Sequence, residues 1–418
     1  MNEMKKYFPI YITFCLVMIQ SIVSQEIILA LEFMFVSIYI LRKKIYIRKK
    51  MVLIFFVLIL HALINVLLGN NNIQFALKQI IGVGITYIFY DNYLRDYKST
   101  DIMKIYIKIV NFLCVIAIIQ ELAYVLNIVP LYNYSWLVKD QQIGSIGIGL
   151  FRIVTIFSEP SCIATLFAPA VYMSINSLIY PEKNKISKIN SVIIILVYLL
   201  TFSSLAYIGF GIAVLLNIIN GKNLIKNMVL VLLGGLTIVF LYTNVVEFRE
   251  RVDDVFKSLK VNEIENANLS SAVFVANVKI ASMSTKDNFG LGTGWGSYAL
   301  EHDKYIDSVY YMSYGRDLNR EDGNSLVVRV LTELGVLGII TIIIFIIKFY
   351  TGTNKNKEYN IISNAILIAF ILRLIRCGHY FQGEALLFVI IYIKVYKENN
   401  SLKIRKDRDI NAITNSKL

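Results

Sequence analysis

The stretch "INSVIIILVYLLTFSSLAYIGFGIAVLLNII", Ile189 to Ile219, runs for about 30 residues without one charged side chain. A helix crosses the hydrocarbon core of a bilayer with about 20 apolar residues, so this run is too long for one simple span. Its flanks decide the reading. Lys183, Lys185 and Lys188 precede it, and Lys222 and Lys226 follow it. Short basic linkers stay on the cytoplasmic side, so both flanks lie inside and the run crosses an even number of times. The break is expected at "TFSS", Thr201 to Ser204, whose hydroxyls can satisfy backbone groups at a tight turn.

Working outward, the whole chain has this character. It is 56% hydrophobic and 17% charged, with a mean hydropathy of +0.61. That composition excludes an ordinary soluble domain and implies one all-α polytopic membrane domain over residues 1–418. About twelve spans are expected, near 8–23, 26–41, 51–68, 74–90, 105–128, 158–179, 189–201, 204–219, 227–243, 325–349, 360–376 and 383–396. The net charge of +13 sits in linkers such as "RKKIYIRKK", Arg42 to Lys50. These read as topology signals and contacts to the lipid bilayer rather than a nucleic-acid surface. With both termini cytoplasmic, every short basic loop falls inside, as does a basic tail over 397–418. The outer linkers near Ser24, Gly69–Gln74 and Gly378–Gln382 carry no Lys or Arg. Cys15, Cys114, Cys162 and Cys377 lie in or beside apolar runs without paired spacing, which argues against a disulfide or zinc framework.

Two longer outer loops are expected, 129–157 and the large hydrophilic segment 244–323, which should carry short helices. Within the latter, "FRERVDDVFKSL" sets Phe248, Val252, Val255, Phe256 and Leu259 on one face of a surface helix. Asp253 and Asp254 there read as a solvated helix face, and no metal or cofactor is expected. Glycines at 290, 292, 294 and 296 follow no strand of a βαβ unit and read as a flexible loop, not a nucleotide cradle.

Basic residues at the outer boundary break the pattern. Lys78, Arg152, Arg316, Arg320, Arg329, Arg373 and Arg376 all fall there. Arg329 pairs by position with Glu333, four residues on. An Arg at mid-membrane costs about 2.5–3.5 kcal/mol on insertion scales, less when it snorkels from near a helix end. Each residue alone is compatible with a snorkelling or salt-bridged side chain. Together on one leaflet they suggest a site for a phosphate-bearing group, which the planar guanidinium fork suits. The motif "FRIVTIFSEPSCIATLFAP", Phe151 to Pro169, opens onto the same boundary. There Ser158 can cap the helix, Pro160 fits its first turn, and Glu159 favours the positive helix end.

At the level of span layout the chain resembles the Wzy-type O-antigen and capsular polysaccharide polymerases, with their sister O-antigen ligases. The resemblance rests on "FRIVTIFSEPS", "LTFSS", "NFGLGTGWGSY", "GNSLVVRVLTELGVLG" and "RCGHYF", in this order. It implies a glycosyltransferase at the exoplasmic face of the bacterial plasma membrane. Such an enzyme joins undecaprenyl-diphosphate-linked oligosaccharide units, donor to acceptor, alongside a chain-length regulator and a flippase of the same pathway. Ligases usually carry His-Asn before the Leu…Glu-x-Gly run; Gly323-Asn324 stands here, which favours polymerase over ligase. Arg152, Arg376 and one of Arg316 or Arg320 are then expected to stabilise the departing diphosphate. Glu159 and His379 are the leading base candidates, with Asp322 and Glu384 behind them. Lys78, Asn324, Arg329, Arg373 and Tyr380 join Arg316 and Arg320 as expected substrate-binding residues. His61, within the third span, reads as a helix–helix hydrogen bond. A secondary transporter or flippase is the alternative from another class.

Overall fold

The computed structural model describes residues 2–145, 149–181, 186–220, 269–309, 319–352 and 357–415, with scattered positions between 232 and 253. The described residues are helical apart from turns, loops and one isolated bridge between Ser145 and Phe151. Six helices are long and apolar enough to cross a membrane. In chain order they are α3 (Lys49–Leu67), α4 (Ile73–Tyr93), α5 (Ser99–Val125), α7 (Pro160–Ile179), α12 (Leu326–Phe349) and α13 (Lys357–Ile375). Two shorter apolar helices, α8 (Lys188–Leu199) and α9 (Ser204–Asn220), replace the long run. The break falls where the hydroxyl pattern placed it. Thr201 Oγ1 donates to Tyr198 O at 2.7 Å, and Phe202 takes a left-handed φ of +46°.

Further helices are α1 (Asn2–Ile19), α2 (Gln25–Arg42), the short α6 (Val129–Tyr132), α10 (Leu269–Asp287) and α14 (Ala385–Asn415). The last differs from expectation, because the basic tail continues the helix from the final apolar run to Asn415. The expected span over 227–243 and the surface helix over 248–259 lie largely outside the described residues.

α7 is the axle of the fold. Almost all of its side chains are buried, and it packs on α8, α9 and α13. Ala164, Ala168, Ala170, Ser174 and Ser177 let the neighbouring backbones come close, as small residues do between helices in lipid. At the other extreme, α3 shows lipid its Val52, Leu53, Phe56, Val57, Leu60 and Leu67, and the second half of α12 shows Leu337, Ile343, Ile344 and Ile347. Apolar side chains turned outward along whole helices are what a bilayer solvent demands.

Side-chain contacts sort the linkers into two groups at opposite ends of the bundle. At one end Gly383 N donates to Gln20 Oε1, Ile153 N to Leu200 O at 3.1 Å, and Gly378 N to Asp322 Oδ2 at 3.2 Å. At the other, Tyr97 Oη donates to Lys6 O, Lys43 pairs with Asp96, and Lys394 donates to Arg95 O. The first group contains the linkers poor in basic residues, and the second the linkers rich in them.

Candidate functional site at the start of α7 and the end of α13

The site grows from a break in a helix. α12 is interrupted at Gly335, whose φ is +68°. Into the gap comes the loop before α11 (Tyr298–Val309), residues 289–296. Thr293 N donates to Thr332 O at 3.0 Å and Gly294 N to Glu333 O at 2.9 Å, while Gly290 O accepts from Val336 N at 2.9 Å. The glycine-rich stretch is thus not the flexible loop its composition suggested. Its missing side chains allow backbone to lie against backbone: a Cβ on Gly335 would collide with the Gly290 carbonyl.

The break aims two charges inward. Arg329 and Glu333, 2% and 0% exposed, pair at 2.8 Å between Nε and Oε1. Glu333 also accepts from Tyr380 Oη at 2.8 Å and from Tyr298 N at 3.3 Å. Arg329 donates to Gly378 O at 3.2 Å and lies 4.7 Å from the centre of the Tyr380 ring. Trp295, which the sequence reading passed over, meets Tyr380 edge-on at 5.8 Å. A buried ion pair is tolerated only when its remaining donors and acceptors are satisfied, and these supply that.

The linker 376–384 is held from several sides. Arg373 Nη2 donates to His379 O at 3.0 Å and to Gln382 O at 2.7 Å. Cys377 N donates to Asn324 O at 3.0 Å, and Ser325 Oγ to Leu374 O at 2.7 Å. Asn324 therefore contributes through its backbone. Asp322 sits under the same linker, 3.8 Å from His379 Nε2. Burial opposes its ionisation, but the His379 ring and N–H donors of Asn324, Asn319 and Gly378 hold its carboxyl below the usual carboxylate range. His379 moves down as well. Burial disfavours its cation, Asp322 pulls the other way, and the charges of Arg329, Arg373 and Lys78 reinforce burial. At neutral pH the geometry sets an ionised Asp322 beside a neutral imidazole.

Arg376 reaches the opening motif. Its Nη2 lies 3.5 Å from Glu159 Oε2, and Ser161 Oγ donates to the same carboxylate oxygen at 2.9 Å. The cap of α7 differs from expectation. Glu159, not Ser158, is the N-cap, it makes no side-chain cap bond, and Pro160 follows at N1. Ser158 instead accepts from Gln142 N through its carbonyl. The carboxylate of Glu159 is left to turn toward Arg376.

These contacts divide the expected site residues. Arg329, Arg373 and Tyr380 are braces turned into protein. Arg376, Glu159 and His379 keep 28%, 35% and 31% of their side chains exposed, and Lys78 is exposed within electrostatic reach of His379. Arg152 is half-buried on the loop before α7, with its backbone N–H on Gly144 O at 3.0 Å. Arg320 is held two-pronged by Asp303 of α11, at 2.7 and 2.6 Å, and Arg316 lies outside the described residues. His61 joins the third span to the glycine loop at Leu291 O, 3.2 Å, rather than to another helix. Among the described residues no three His, Cys, Asp or Glu side chains converge as a metal site.

Comparison with known proteins yields no significant match to a family model, a curated protein or a solved structure. The site must be read from its own chemistry.

Proposed function

We propose that the chain is a polysaccharide polymerase, a glycosyltransferase that joins undecaprenyl-diphosphate-linked oligosaccharide repeat units for capsule or O-antigen synthesis. In this reading about twelve spans cross the bacterial plasma membrane with both termini in the cytoplasm. The linkers around Glu159, Asp322 and His379 face outward, and a flippase and chain-length regulator act beside it.

One observation carries the proposal: the linker bearing Arg376 and His379 meets Glu159 and Asp322, from two distant parts of the chain, at one partly open rim backed by the buried braces Arg329 and Arg373. The reaction asks for that combination. An acceptor hydroxyl oxygen attacks the anomeric carbon of the donor sugar, the bond to the diphosphate oxygen breaks, and its electron pair leaves on the diphosphate. Arg376, with Arg152, stabilises that growing charge. The hydroxyl proton passes to His379, kept neutral by its surroundings, or to Glu159.

Loss of the Arg152 side chain tests the assignment. Arg152→Ala should abolish polymer at normal protein levels, leaving single lipid-linked units outside, and polymer of wild-type length would refute it. The acceptor separates this reading from a ligase: a second repeat unit here, a lipid core there. A transporter or flippase draws support from the broken α12, since broken helices mark transport sites. The gap in α12 is filled by residues 289–296, however, which favours a structural break over a passage.

A further inference from the structure

At the opposite end of α3, α4 and α14 from the Arg376 rim lies a half-open cavity of about 120 Å³. Its lining includes four cations, Arg48, Arg95, Lys394 and Lys397, and only two carboxylates, Asp91 and Glu398. Both carboxylates are already engaged. Asp91 pairs with Arg48 and accepts from Tyr87 Oη at 3.1 Å. Glu398 accepts from Ser99 N at 3.0 Å and Ser99 Oγ at 2.5 Å, at the first turn of α5, and lies 3.5 Å from Lys394.

The cations keep unused capacity. Arg48 Nε is buried and has no hydrogen-bond partner. Arg95 lies over the Tyr46 ring at 4.2 Å, a contact that leaves its edge N–H groups available. Lys397 is exposed and forms no ion pair among the described residues. Such an excess of positive charge, drawn from three separate segments around one concavity, calls for an anion with several acceptor oxygens.

What lies below the cavity identifies the source of that anion. α3 begins immediately after Arg48, and its first turns present Val52, Leu53 and Phe56 outward, 55%, 63% and 61% exposed. A basic pocket at the end of an apolar, outward-facing helix fits a phosphate with hydrocarbon chains attached.

We propose that this cavity binds the phosphate headgroup of an anionic membrane lipid, with its acyl chains lying along α3. The site is separate from the Arg376 rim and stands whether or not the polymerase reading holds.

The test uses the full chain in mild detergent and follows its thermal unfolding midpoint while phosphatidylglycerol, phosphatidylcholine or inorganic phosphate is added. Phosphatidylglycerol should raise the midpoint saturably and phosphatidylcholine should not. Lys397→Gln should raise the half-saturating phosphatidylglycerol concentration about five-fold, as expected for one basic residue near a lipid headgroup. Lys286→Gln, in the last turn of the helix Leu269–Asp287 that leads into the glycine loop, should leave it unchanged. Arg48→Gln also breaks the pair with Asp91, so the exposed Lys397 carries the test. Equal responses to the two lipids, or a phosphatidylglycerol response indifferent to Lys397→Gln, would overturn the site. A full shift from millimolar inorganic phosphate, with nothing added by lipid, would overturn the lipid assignment.

Discussion

Arg376 and Glu159, 217 residues apart in the chain, meet at 3.5 Å where the end of α13 passes the mouth of α7. Both side chains are about one-third exposed, so water screens the pair and its worth to stability is small, about 0–1 kcal/mol. Activity and folding should therefore separate here. We expect Arg376→Ala to lower polymer formation about 100-fold or more while the unfolding midpoint stays within a degree or two. Polymer assembled from purified lipid-linked units, measured beside thermal unfolding, checks both halves. Undiminished polymer would remove Arg376 from the reaction.

The buried pair behaves oppositely. Arg329→Met leaves Glu333 charged and nearly walled off from water, and breaking such a pair costs about 3–5 kcal/mol. The double replacement Arg329→Met with Glu333→Leu removes both charges and should recover part of that loss. The order wild type, double variant, single variant in unfolding midpoint is the expected result. A single variant as stable as wild type would mean that Arg329 braces nothing.

Acid should loosen the linker 376–384 in two stages. His379 is shifted down from its ordinary value near 6.5, so the unfolded chain binds more protons than the folded one as pH falls below that value. Its contribution to stability is complete above about pH 6.5 and is lost progressively on acidification. Asp322 is shifted down from 3.8, so its contribution persists above that value and disappears only as pH falls through its folded-state value. His379→Gln should flatten the first limb of the stability-versus-pH curve and also shrink the second, because the His379 charge helps to hold the Asp322 carboxyl down. Identical curves for variant and wild type from pH 7 to 5 would show that the imidazole is not held neutral by the fold.

Gly335 offers a steric test. Its φ of +68° strains any L side chain, and a methyl group there would meet the Gly290 carbonyl. Gly335→Ala should cost well over about 1 kcal/mol and sharply reduce folded protein recovered from the membrane. Gly211, inside α9 with nothing near its added Cβ, should accept Ala without loss. Comparable yields for the two variants would dissociate the loop insertion from stability.

The six long apolar helices were legible in the sequence because hydrophobic length is a local property. Flanking charge called for a break in the run from Ile189 to Ile219, and the hydroxyls of Thr201 to Ser204 placed it. Pairing was not legible. Arg329, Arg373 and Arg376 sit at similar depths and look alike in one dimension, yet two are turned into protein and one toward the rim. Position on a helix fixes depth; only the neighbouring helix decides which way a guanidinium turns. Glu333, four residues from Arg329, could be paired by spacing. The grip of Asp303 on Arg320 could not, since the two are 17 residues apart in the chain. The glycines at 290–296 misled for a related reason. Conformational freedom in a chain reads as mobility until the partner that uses it, here a gap in α12, is known.

That gap bears on membrane thickness. Beyond Gly335, α12 retains residues 336–349, which at 1.5 Å each span about 21 Å, well short of a hydrocarbon core of about 30 Å. In a membrane of that depth, the interrupted turn and the carboxylate of Glu333 fall below the headgroup level, where unsheltered backbone amides are not tolerated. Residues 292–296 of the glycine loop are then irregular chain sunk toward the bilayer's apolar zone and sheltered by protein, while Phe289 and Leu291 turn apolar side chains outward, as a lipid-facing stretch would.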